Sequence, residues 1–292
     1  EKSVIGWYGR RMNWDIKESW IIKAPGVLFA IAAAVRALSE KGDGVLICQP
    51  VYHPFARLIE SNRRRTVISE LKLIEGRYEP DYEDIEQKIK ENAVKLFLLC
   101  SPHNPAGRVW TKEELTELGR ICLKHNVKII SDEIHSDFVF CGRPHLPIAS
   151  LSEELSDITV TCTSPTKTFN IAGIQAANII IANPELRRKV GEACEATFGC
   201  ELNVMAAAAV KAAYNHGEEW LDGLLEYIKG NFDVLRRAFP KEEKISLIEP
   251  EGTYLAWIDC RQALPEENDL DEYFLKHAKV RVHNGAIFGN GG

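Results

Sequence analysis

The sequence has no hydrophobic run long enough to cross a membrane. Its apolar stretches are all shorter than the roughly 18 residues that a spanning helix needs, and no basic segment followed by an apolar core stands at its start. We therefore expect a cytoplasmic protein without a membrane partner. The first residue is Glu rather than Met, and the last residues, "GAIFGNGG", are typical of a turn. These ends lead us to expect a chain that is truncated on both sides.

Basic clusters are also scarce. The 292 residues include 36 Lys and Arg against 42 Asp and Glu, which gives a net charge of −6, and "NRRRT" is the only basic run. Nucleic-acid-binding surfaces concentrate Lys and Arg, so this composition argues against a nucleic-acid partner. The hydrophobic content of 45% is enough for one large domain and one smaller domain.

Paired cysteines are missing as well. The eight cysteines are scattered, mostly within apolar runs, and no two have the CxxC spacing of a zinc or redox site. They are Cys48, Cys100, Cys122, Cys141, Cys162, Cys194, Cys200 and Cys260. We expect buried, reduced thiols rather than disulfides or a metal site.

Apolar strands alternate with amphipathic helices in the first two thirds of the chain. The pattern predicts strands at "GVLICQP", "AVKLFLLCSP", "VKIISDE", "ITVTCTSPTK" and "GIQAANIIIA", and helices at "PGVLFAIAAAVRALSEKGD" and "TKEELTELGRICLKHN". In the second helix, Thr111 and Glu114 have the spacing of a capping box. Buried strands separated by helices predict an α/β fold, with a mostly parallel sheet sandwiched by helices.

The pattern changes after residue 185. Long helical stretches then precede "KISLIEPEGTYLAWIDC", which predicts two short strands around a turn. We therefore assign residues 21–185 to a large domain and residues 186–292, together with 1–20, to a smaller α+β domain.

Polar residues follow three of the predicted strands directly. Asn104 lies in "SPHNPAG", Asp132 and His135 lie in "SDEIHSD", and Ser164 and Lys167 lie in "SPTK". Ligands of open α/β sheets bind beyond the carboxyl ends of the strands, so these side chains are candidates for one shared site.

Each of these residues has a structural explanation beside the functional one. Lys167 is the only lysine in "TSPTKTFNIAG", which contains no acid, and such a setting favours an amine that is deprotonated enough to act as a nucleophile. Taken alone, however, Lys167 fits an ordinary loop lysine better, so its functional role depends on the other candidate residues. Asp132 ends an apolar run, where a carboxylate needs a cation, although it could simply cap a turn. Ser164 is equally compatible with an ordinary turn.

The remaining candidates are open to the same alternatives. Tyr52 could cover a ligand or only pack, His135 could be a core histidine, and Asn104 could serve a turn. Gly26 and Val27 open a helix, whose free N–H groups attract phosphate. Together the candidates supply an amine, a carboxylate, an aromatic ring, an amide and a phosphate cradle, which is the set that pyridoxal phosphate requires.

The motifs "SPHNPAG", "SDEIHSD" and "SPTKTFNIAG" resemble those of fold-type I pyridoxal-phosphate enzymes of the class I/II aminotransferase superfamily. More narrowly, the sequence is similar to the MalY/PatB-like cystathionine β-lyase (C–S lyase) branch. The resemblance extends over essentially the whole chain and includes "PGVLFAI", "VYHPF" and "EGTYLAWIDC". It implies an aspartate-aminotransferase-like fold, with the cofactor in the large domain.

The resemblance also implies a role for each candidate residue. Lys167 would form a Schiff base with pyridoxal 5'-phosphate and move protons, and Asp132 would keep the pyridine nitrogen protonated. Tyr52 would stack on the ring, and Asn104 would bond its phenolic oxygen. The phosphate would be bound by Ser164 and by the N–H groups of Gly26 and Val27.

His135 bears on the type of reaction. Aspartate-aminotransferase-like enzymes carry a tyrosine at this place, three residues after the aspartate, whereas histidine matches the lyase branch. We therefore expect β-elimination of cysteine S-conjugates such as cystathionine. The alternatives are an aminotransferase and a regulatory binding module without turnover, although the complete Lys167, Asp132 and Asn104 set argues against the latter.

A homodimer is the partner that the resemblance implies. A substrate-carboxylate arginine and a tyrosine from the neighbouring subunit are expected outside this chain. Within it, Trp7, Tyr8 and Trp14 are the apolar N-terminal residues that we expect to be available for contact with a second subunit.

Overall fold

The computed structural model describes residues 1–197, 201–240, 244–264 and 269–292, so Cys200 lies outside the described residues. The strands are β1 (Ile21–Ala24), β2 (Gly44–Gln49), β3 (Arg65–Glu70), β4 (Lys72–Ile74), β5 (Arg77–Glu79), β6 (Val94–Cys100), β7 (Lys128–Asp132), β8 (Thr159–Thr163), β9 (Ala177–Ile180), β10 (Ser246–Leu247) and β11 (Ile258–Asp259).

Helices fill most of the chain between these strands. They are α1 (Lys2–Met12), α2 (Val27–Leu38), α3 (Pro54–Ser61), α4 (Tyr82–Glu91), α5 (Lys112–Lys124), α6 (Glu153–Ile158), α7 (Pro165–Thr168), α8 (Pro184–Glu195), α9 (Val204–His216), α10 (Glu218–Ala238) and α11 (Leu270–His277). Within the described ranges, none of them combines the length and hydrophobicity that crossing a membrane requires.

Seven strands form one central sheet, in the order β1-β9-β8-β7-β6-β2-β3. Strands β3, β2, β6, β7 and β8 are parallel to one another, whereas β9 pairs antiparallel with both β8 and β1. Two short antiparallel pairs, β4–β5 and β10–β11, stand apart from this sheet. The predicted α/β fold with a mostly parallel sheet is confirmed.

Local sequence signals account for the helices that were predicted. Helix α2 begins at Val27, directly after Gly26. The capping box of α5 is present, because the Thr111 side chain accepts from the N–H of Glu114 and the Glu114 side chain accepts from the N–H of Thr111. These reciprocal bonds satisfy two backbone donors that the helix itself cannot.

Apolar residues cover both faces of the sheet. Along β2 and β6 successive side chains alternate between the two faces, since strand side chains have a period of two. Val45 and Leu98 pack with α2, α3 and α8 on one face. Leu46 and Phe97 pack with α4, α5 and α6 on the other. Because both faces of the sheet are covered by apolar residues, polar functional residues lie where the strands end.

The aromatic residues near the N-terminus were wrongly expected to be available for subunit contact. Trp7, Tyr8 and Trp14 are 0%, 1% and 5% exposed. They form a core cluster with α9, in which the ring centroids of Trp7 and Tyr214 lie 5.3 Å apart. Large aromatic rings bury more apolar area inside the chain than a surface position allows, and here α9 supplies that burial.

Two helices bear on the predicted division into domains. Helix α8 packs on α2, and its Leu186 and Val190 belong to the same core cluster as β2 and β6. Helix α1 packs on α9. The assignment of residues 21–185 to one domain and 186–292 with 1–20 to another stays a prediction.

A buried ion-pair network connects the C-terminal part of the chain to the loop after β6. Arg108 is 1% exposed, donates to both carboxylate oxygens of Glu114 at 2.8 and 2.9 Å, and donates to Glu251 at 3.0 Å. Arg108 also donates to the carbonyl of Tyr78. Glu251 additionally accepts from the N–H of Val109 at 2.9 Å. Buried charges of this kind are stable only when paired and hydrogen-bonded.

Backbone contacts reinforce the same connection. The N–H groups of Glu251 and Gly252 both donate to the carbonyl of Gly107, at 2.9 and 2.8 Å. Gly107 has φ +68°, and a Cβ there would lie 3.1 Å from the Gly252 carbonyl oxygen. The loop that carries Asn104 is therefore fixed by residues that follow it by more than a hundred positions.

Replacing Arg108 tests the importance of this network. Arg108→Met removes the buried guanidinium that contacts both Glu114 and Glu251 and leaves these partly buried carboxylates with Arg77, so the free energy of unfolding should fall by about 3 kcal/mol. The measurement is chemical denaturation of both variants and the wild type. Arg188→Met is the control, because Arg188 bridges Glu185 and Glu192 on the exposed face of α8 and should cost less than about 1 kcal/mol. Equal losses in the two variants would contradict this account.

Candidate active site

The predicted site residues lie at the carboxyl ends of three adjacent parallel strands. The register aligns Cys100 with Asp132 and Asp132 with Cys162. Asn104 follows Cys100 by four residues, and Ser164 follows Cys162 by two. Because parallel strands end at the same edge of a sheet, the three segments meet there.

The start of helix α2 belongs to this edge as well. Strand β9 lies between β1 and β8 and is antiparallel to both, so β1 runs in the same direction as β8 and ends at the same edge of the sheet. Helix α2 begins three residues after β1, with Gly26 at its N-cap, and no side chain caps its first N–H groups. A Cβ at Gly26 would meet no atom within 4 Å. Gly26 and Val27 therefore offer backbone donors in open space, which suits an anion.

Lys167 lies in the four-residue helix α7, and its side chain is exposed. Its charge helps to lower the pKa of His135, and it acts on the pKa of Asp132 and Tyr52. A charge shifts the pKa of another group in this way only when the two groups lie close together. The structure therefore brings Lys167 together with the acid, the histidine and the tyrosine that the sequence predicted.

Asp132 is a buried carboxylate without a cation in direct contact. Burial raises its pKa to about 7, against a hydrogen bond from the N–H of Ile134 at 3.1 Å, while Glu133 raises it and Lys167 lowers it. No ion pair to Asp132 occurs among the residues that the structure describes. A bound cationic N–H would remove this penalty.

Two further polar atoms are buried here without a hydrogen-bond partner in the described part of the chain: Oδ1 of Asn104 and Nδ1 of His135. Burial and the nearby Lys167 charge lower the pKa of His135 to about 3, so its imidazole is neutral near pH 7. Buried polar atoms are normally hydrogen-bonded, and atoms that lack a partner within the chain are available to a ligand.

Ser164 has its hydroxyl engaged within the chain. It caps helix α7 by accepting from the N–H of Thr166 at 3.0 Å, and it donates to the carbonyl of Ala176 at 2.6 Å. The Thr166 hydroxyl lies 2.6 Å away. The turn role considered for Ser164 is present, and a phosphate contact would have to use its remaining acceptor capacity or replace a bond.

Tyr52 follows β2, the strand next to β6. It is half-buried, and burial raises the pKa of its phenol. Its ring lies edge-on to Phe55 with the centroids 5.6 Å apart. One side of Tyr52 thus packs on the core while its position keeps it near Lys167.

Sequence reasoning missed a second buried acid beside Asp132. Glu133 is 0% exposed and accepts from the Ser131 hydroxyl at 2.8 Å, and its other oxygen lies 2.8 Å from Nε2 of His145. The signal was available, because "SDEIH" places two acids after an apolar strand. The partner His145 is 12 positions away in the sequence and could not be assigned from spacing.

Tyr254 was also missed. Its ring centroid lies 5.3 Å from that of His135 and 5.0 Å from that of Phe138. Its phenol contributes to the raised pKa of Tyr52, so it borders the same space. The only local signal was an aromatic residue in "EGTYLAW", which also fits a strand.

These residues fit pyridoxal phosphate. Its aldehyde requires an amine, its pyridine nitrogen a carboxylate, its phenolic oxygen a polar side chain and its phosphate backbone donors. Lys167, the unpaired carboxylate of Asp132, the unpartnered amide of Asn104 and the open N-terminus of α2 supply these groups at one edge of the sheet.

Known proteins resemble this chain along its whole length. Cystathionine beta-lyase PatB of Bacillus subtilis (strain 168) is 40% identical over 291 residues, which cover 99% of this chain and 75% of PatB. The crystal structure of cystalysin from Treponema denticola, which contains a pyridoxal 5'-phosphate cofactor, has a TM-score of 0.95 and 40% identity, and covers 100% of this chain and 74% of cystalysin.

A third relative is a PLP-bound putative aminotransferase from Clostridium difficile 630. Its crystal structure has a TM-score of 0.95 and 44% identity, and covers 100% of this chain and 75% of that one. The family profile of aminotransferase class I and II matches residues 1–291. The chain therefore belongs to the aminotransferase class I and II family.

Proposed function

We propose that this protein binds pyridoxal 5'-phosphate and catalyses β-elimination of cysteine S-conjugates such as cystathionine. The observation that carries the proposal is the convergence of Lys167, Asp132 and Asn104 at the carboxyl edge of β6, β7 and β8. The similarity to PatB and to cystalysin supports both the cofactor and the reaction.

Lys167 is the catalytic residue of the proposal. Its Nζ would hold the cofactor covalently before substrate arrives, and it would then take the proton from the substrate's Cα. Pyridoxal phosphate, when bound, supplies an electron sink that stabilises the carbanion left at Cα. The exposed position of Lys167 gives the amine access to both partners.

Asp132 makes the site suitable for a cofactor that acts as an electron sink. Its carboxylate would accept a hydrogen bond from the protonated ring nitrogen and keep the proton there, because opposite charges in a buried setting stabilise each other. Burial has already raised the pKa of Asp132 to about 7, so the contact would also restore its charged form.

The remaining residues orient the cofactor. Tyr52 would stack on the ring, and Asn104 would bond its phenolic oxygen. The neutral His135, whose Nδ1 has no hydrogen-bond partner among the described residues, would offer one further polar contact. The N–H groups of Gly26 and Val27 would hold the phosphate. Ser164 would contribute its hydroxyl to the same phosphate.

The overall reaction breaks the bond between Cβ and sulfur. Cystathionine and water give homocysteine, pyruvate and ammonia, with the sulfur leaving as a thiolate that takes up a proton. Lys167 removes the Cα proton. We assign the elimination rather than amino transfer to this chain on the basis of His135 and the similarity to PatB.

An aminotransferase is the second candidate, because the relative from Clostridium difficile carries that name. Both reactions begin with removal of the Cα proton by Lys167. They differ in products: elimination gives pyruvate, ammonia and free thiol from cystathionine alone, whereas amino transfer needs a 2-oxo acid and consumes it in stoichiometric amount. Incubation with cystathionine, with and without a 2-oxo acid, separates them.

A cytoplasmic location is part of the proposal. It is supported by the buried free thiols Cys48, Cys100, Cys122 and Cys162. Burial raises the pKa of Cys48 to about 12, which keeps it protonated and unreactive.

A homodimer with its cofactor sites near the interface is also proposed. Val204 and Met205, at the start of α9, are 84% and 69% exposed although both are apolar. Asn203, the preceding residue, donates to the carbonyl of Ile174 in the turn that follows α7. An exposed apolar pair that is tied to the segment after Lys167 is a suitable place for a second subunit.

Removal of Lys167 tests the covalent attachment. The purified protein should be yellow, and borohydride should fix the cofactor irreversibly to the peptide that contains Lys167, as detected by mass spectrometry. Lys167→Ala should bind the cofactor without any reducible link. A reducible link of equal yield in Lys167→Ala would show that another amine holds the cofactor.

Replacement of Asp132 tests the electron sink. Asp132→Asn should lower kcat by orders of magnitude, because roughly 3–6 kcal/mol of transition-state stabilisation is lost at about 1.4 kcal/mol per tenfold. The reducible link to Lys167 should persist. The exposed Asp15→Asn should leave kcat unchanged. If Asp132 only caps a turn, the variant would instead lose about 1 kcal/mol of stability at normal kcat.

Charges at the start of α9 test the dimer. Val204→Asp together with Met205→Asp should shift the protein from dimer to monomer in analytical ultracentrifugation at micromolar concentration, since burying two carboxylates opposes association. Val234→Asp on α10, also an exposed apolar position, should leave the dimer intact. A wild type that is fully active as a monomer would contradict the proposal.

A further inference from the structure

Tyr254 forms part of the candidate site, although no chemical step described above uses it. It is 37% exposed, unlike its ring neighbour Phe138, which is 1% exposed. Its centroid lies 5.3 Å from that of His135, with the ring planes inclined by 60°. The ring is therefore packed against His135 and Phe138 while part of the side chain stays exposed.

The backbone before Tyr254 is unusual. Thr253 has φ +65° and is 0% exposed. Positive φ is strained for a β-branched residue, and such strain persists only where the surroundings hold it. The N–H of Thr253 donates to the carbonyl of Phe138 at 3.0 Å, and its hydroxyl accepts from the N–H of Leu255 at 3.2 Å. These bonds fix the direction in which Tyr254 projects.

Gly252 adds a steric constraint to the same turn. A Cβ there would lie 2.6 Å from Cγ2 of Val109 and 2.7 Å from the carbonyl oxygen of Phe138. The turn is thus wedged between the loop after β6 and the loop after β7, which carry Asn104 and His135. Tyr254 is held at a fixed distance from both.

The surroundings of Tyr254 differ from those of Lys167 and Asp132. Its contacts on the packed side are the rings of His135 and Phe138, and it borders Tyr52, as its effect on the pKa of that phenol indicates. Lys167 acts on the pKa of both His135 and Tyr52, which are the residues that Tyr254 also borders. An aromatic surface therefore lies in the same site as the amine that the proposed reaction brings to the substrate's Cα.

We propose that Tyr254 is a specificity-determining residue, whose ring contacts the sulfur substituent of the substrate and favours apolar and aromatic substituents. The inference rests on the proposed β-elimination of cysteine S-conjugates. Aromatic rings attract both apolar groups and thioether sulfur, the latter at ring edges. Phenylalanine should therefore replace Tyr254 without loss of preference, whereas alanine should not.

The test compares substrates within each variant of the holoenzyme. We expect Tyr254→Ala to lower kcat/KM for S-benzyl-cysteine about tenfold more than kcat/KM for S-methyl-cysteine, the lower range of what an apolar pocket contributes to discrimination. Tyr254→Phe should keep the wild-type ratio within about twofold. Tyr227→Ala is the matched control, because Tyr227 is 70% exposed on α10, and its ratio should equal that of the wild type.

A binding measurement accompanies the rates. The dissociation constants of S-benzyl- and S-methyl-3-mercaptopropionate, which have no amino group and cannot react, are measured by calorimetry on the same proteins. We expect the benzyl compound alone to lose affinity in Tyr254→Ala. If that variant is unstable, Tyr254→Leu, which keeps the volume and removes the ring, replaces it.

Failure of the Tyr254 proposal can be distinguished from failure of the proposed β-elimination. If Tyr254→Ala lowered kcat/KM equally for both substrates and left the ratio of the two dissociation constants unchanged, the role of Tyr254 would be overturned. Pyruvate formation by the wild type would still support elimination. A wild type that gives no pyruvate but transfers amino groups would overturn elimination. In that case the ratio measured by amino transfer, and the calorimetric ratio, still decide whether Tyr254 recognises the substituent.

Discussion

The parallel pairing of β6, β7 and β8 is the constraint on which the candidate site depends. Its register aligns Cys100, Asp132 and Cys162, so that the segments following each strand leave the sheet at one edge. A slip of one residue would turn every side chain of a strand to the opposite face. The core on both faces of the sheet therefore fixes the site as firmly as it fixes the fold.

The neighbouring carboxylates of Asp132 and Glu133 are both buried at that edge, but they differ in their hydrogen-bond partners. Glu133 is satisfied within the chain by Ser131 and His145. The carboxylate of Asp132 accepts only from the N–H of Ile134 among the hydrogen bonds of the described residues, and burial raises its pKa. An acid in this condition stabilises whichever cation it meets. This edge suits a protonated ring nitrogen because the carboxylate of Asp132 has no cationic partner among the described residues, and not merely because an acid is present.

The C-terminal part of the chain completes the site from a distance. Glu251 ties its own turn to Arg108, and the same turn continues through Gly252 and Thr253 to Tyr254. Two loops at the strand ends are thereby held by one short segment. Stability and the geometry of the site are coupled here, because the residues that fix the loops also hold Tyr254 against His135.

The sequence by itself determined the elements whose signals are local. The start of α2 after Gly26, the capping box of Thr111 and the strands that end near Asp132 all follow from periodicity and turn chemistry within a few residues. The common edge then followed from the rule for parallel sheets. The pair Arg108–Glu251 spans 143 positions, and which residues meet over that distance is decided by packing, not by pattern. For the same reason the N-terminal aromatic residues were misassigned to the surface: only the tertiary structure brings α9 against them and buries them.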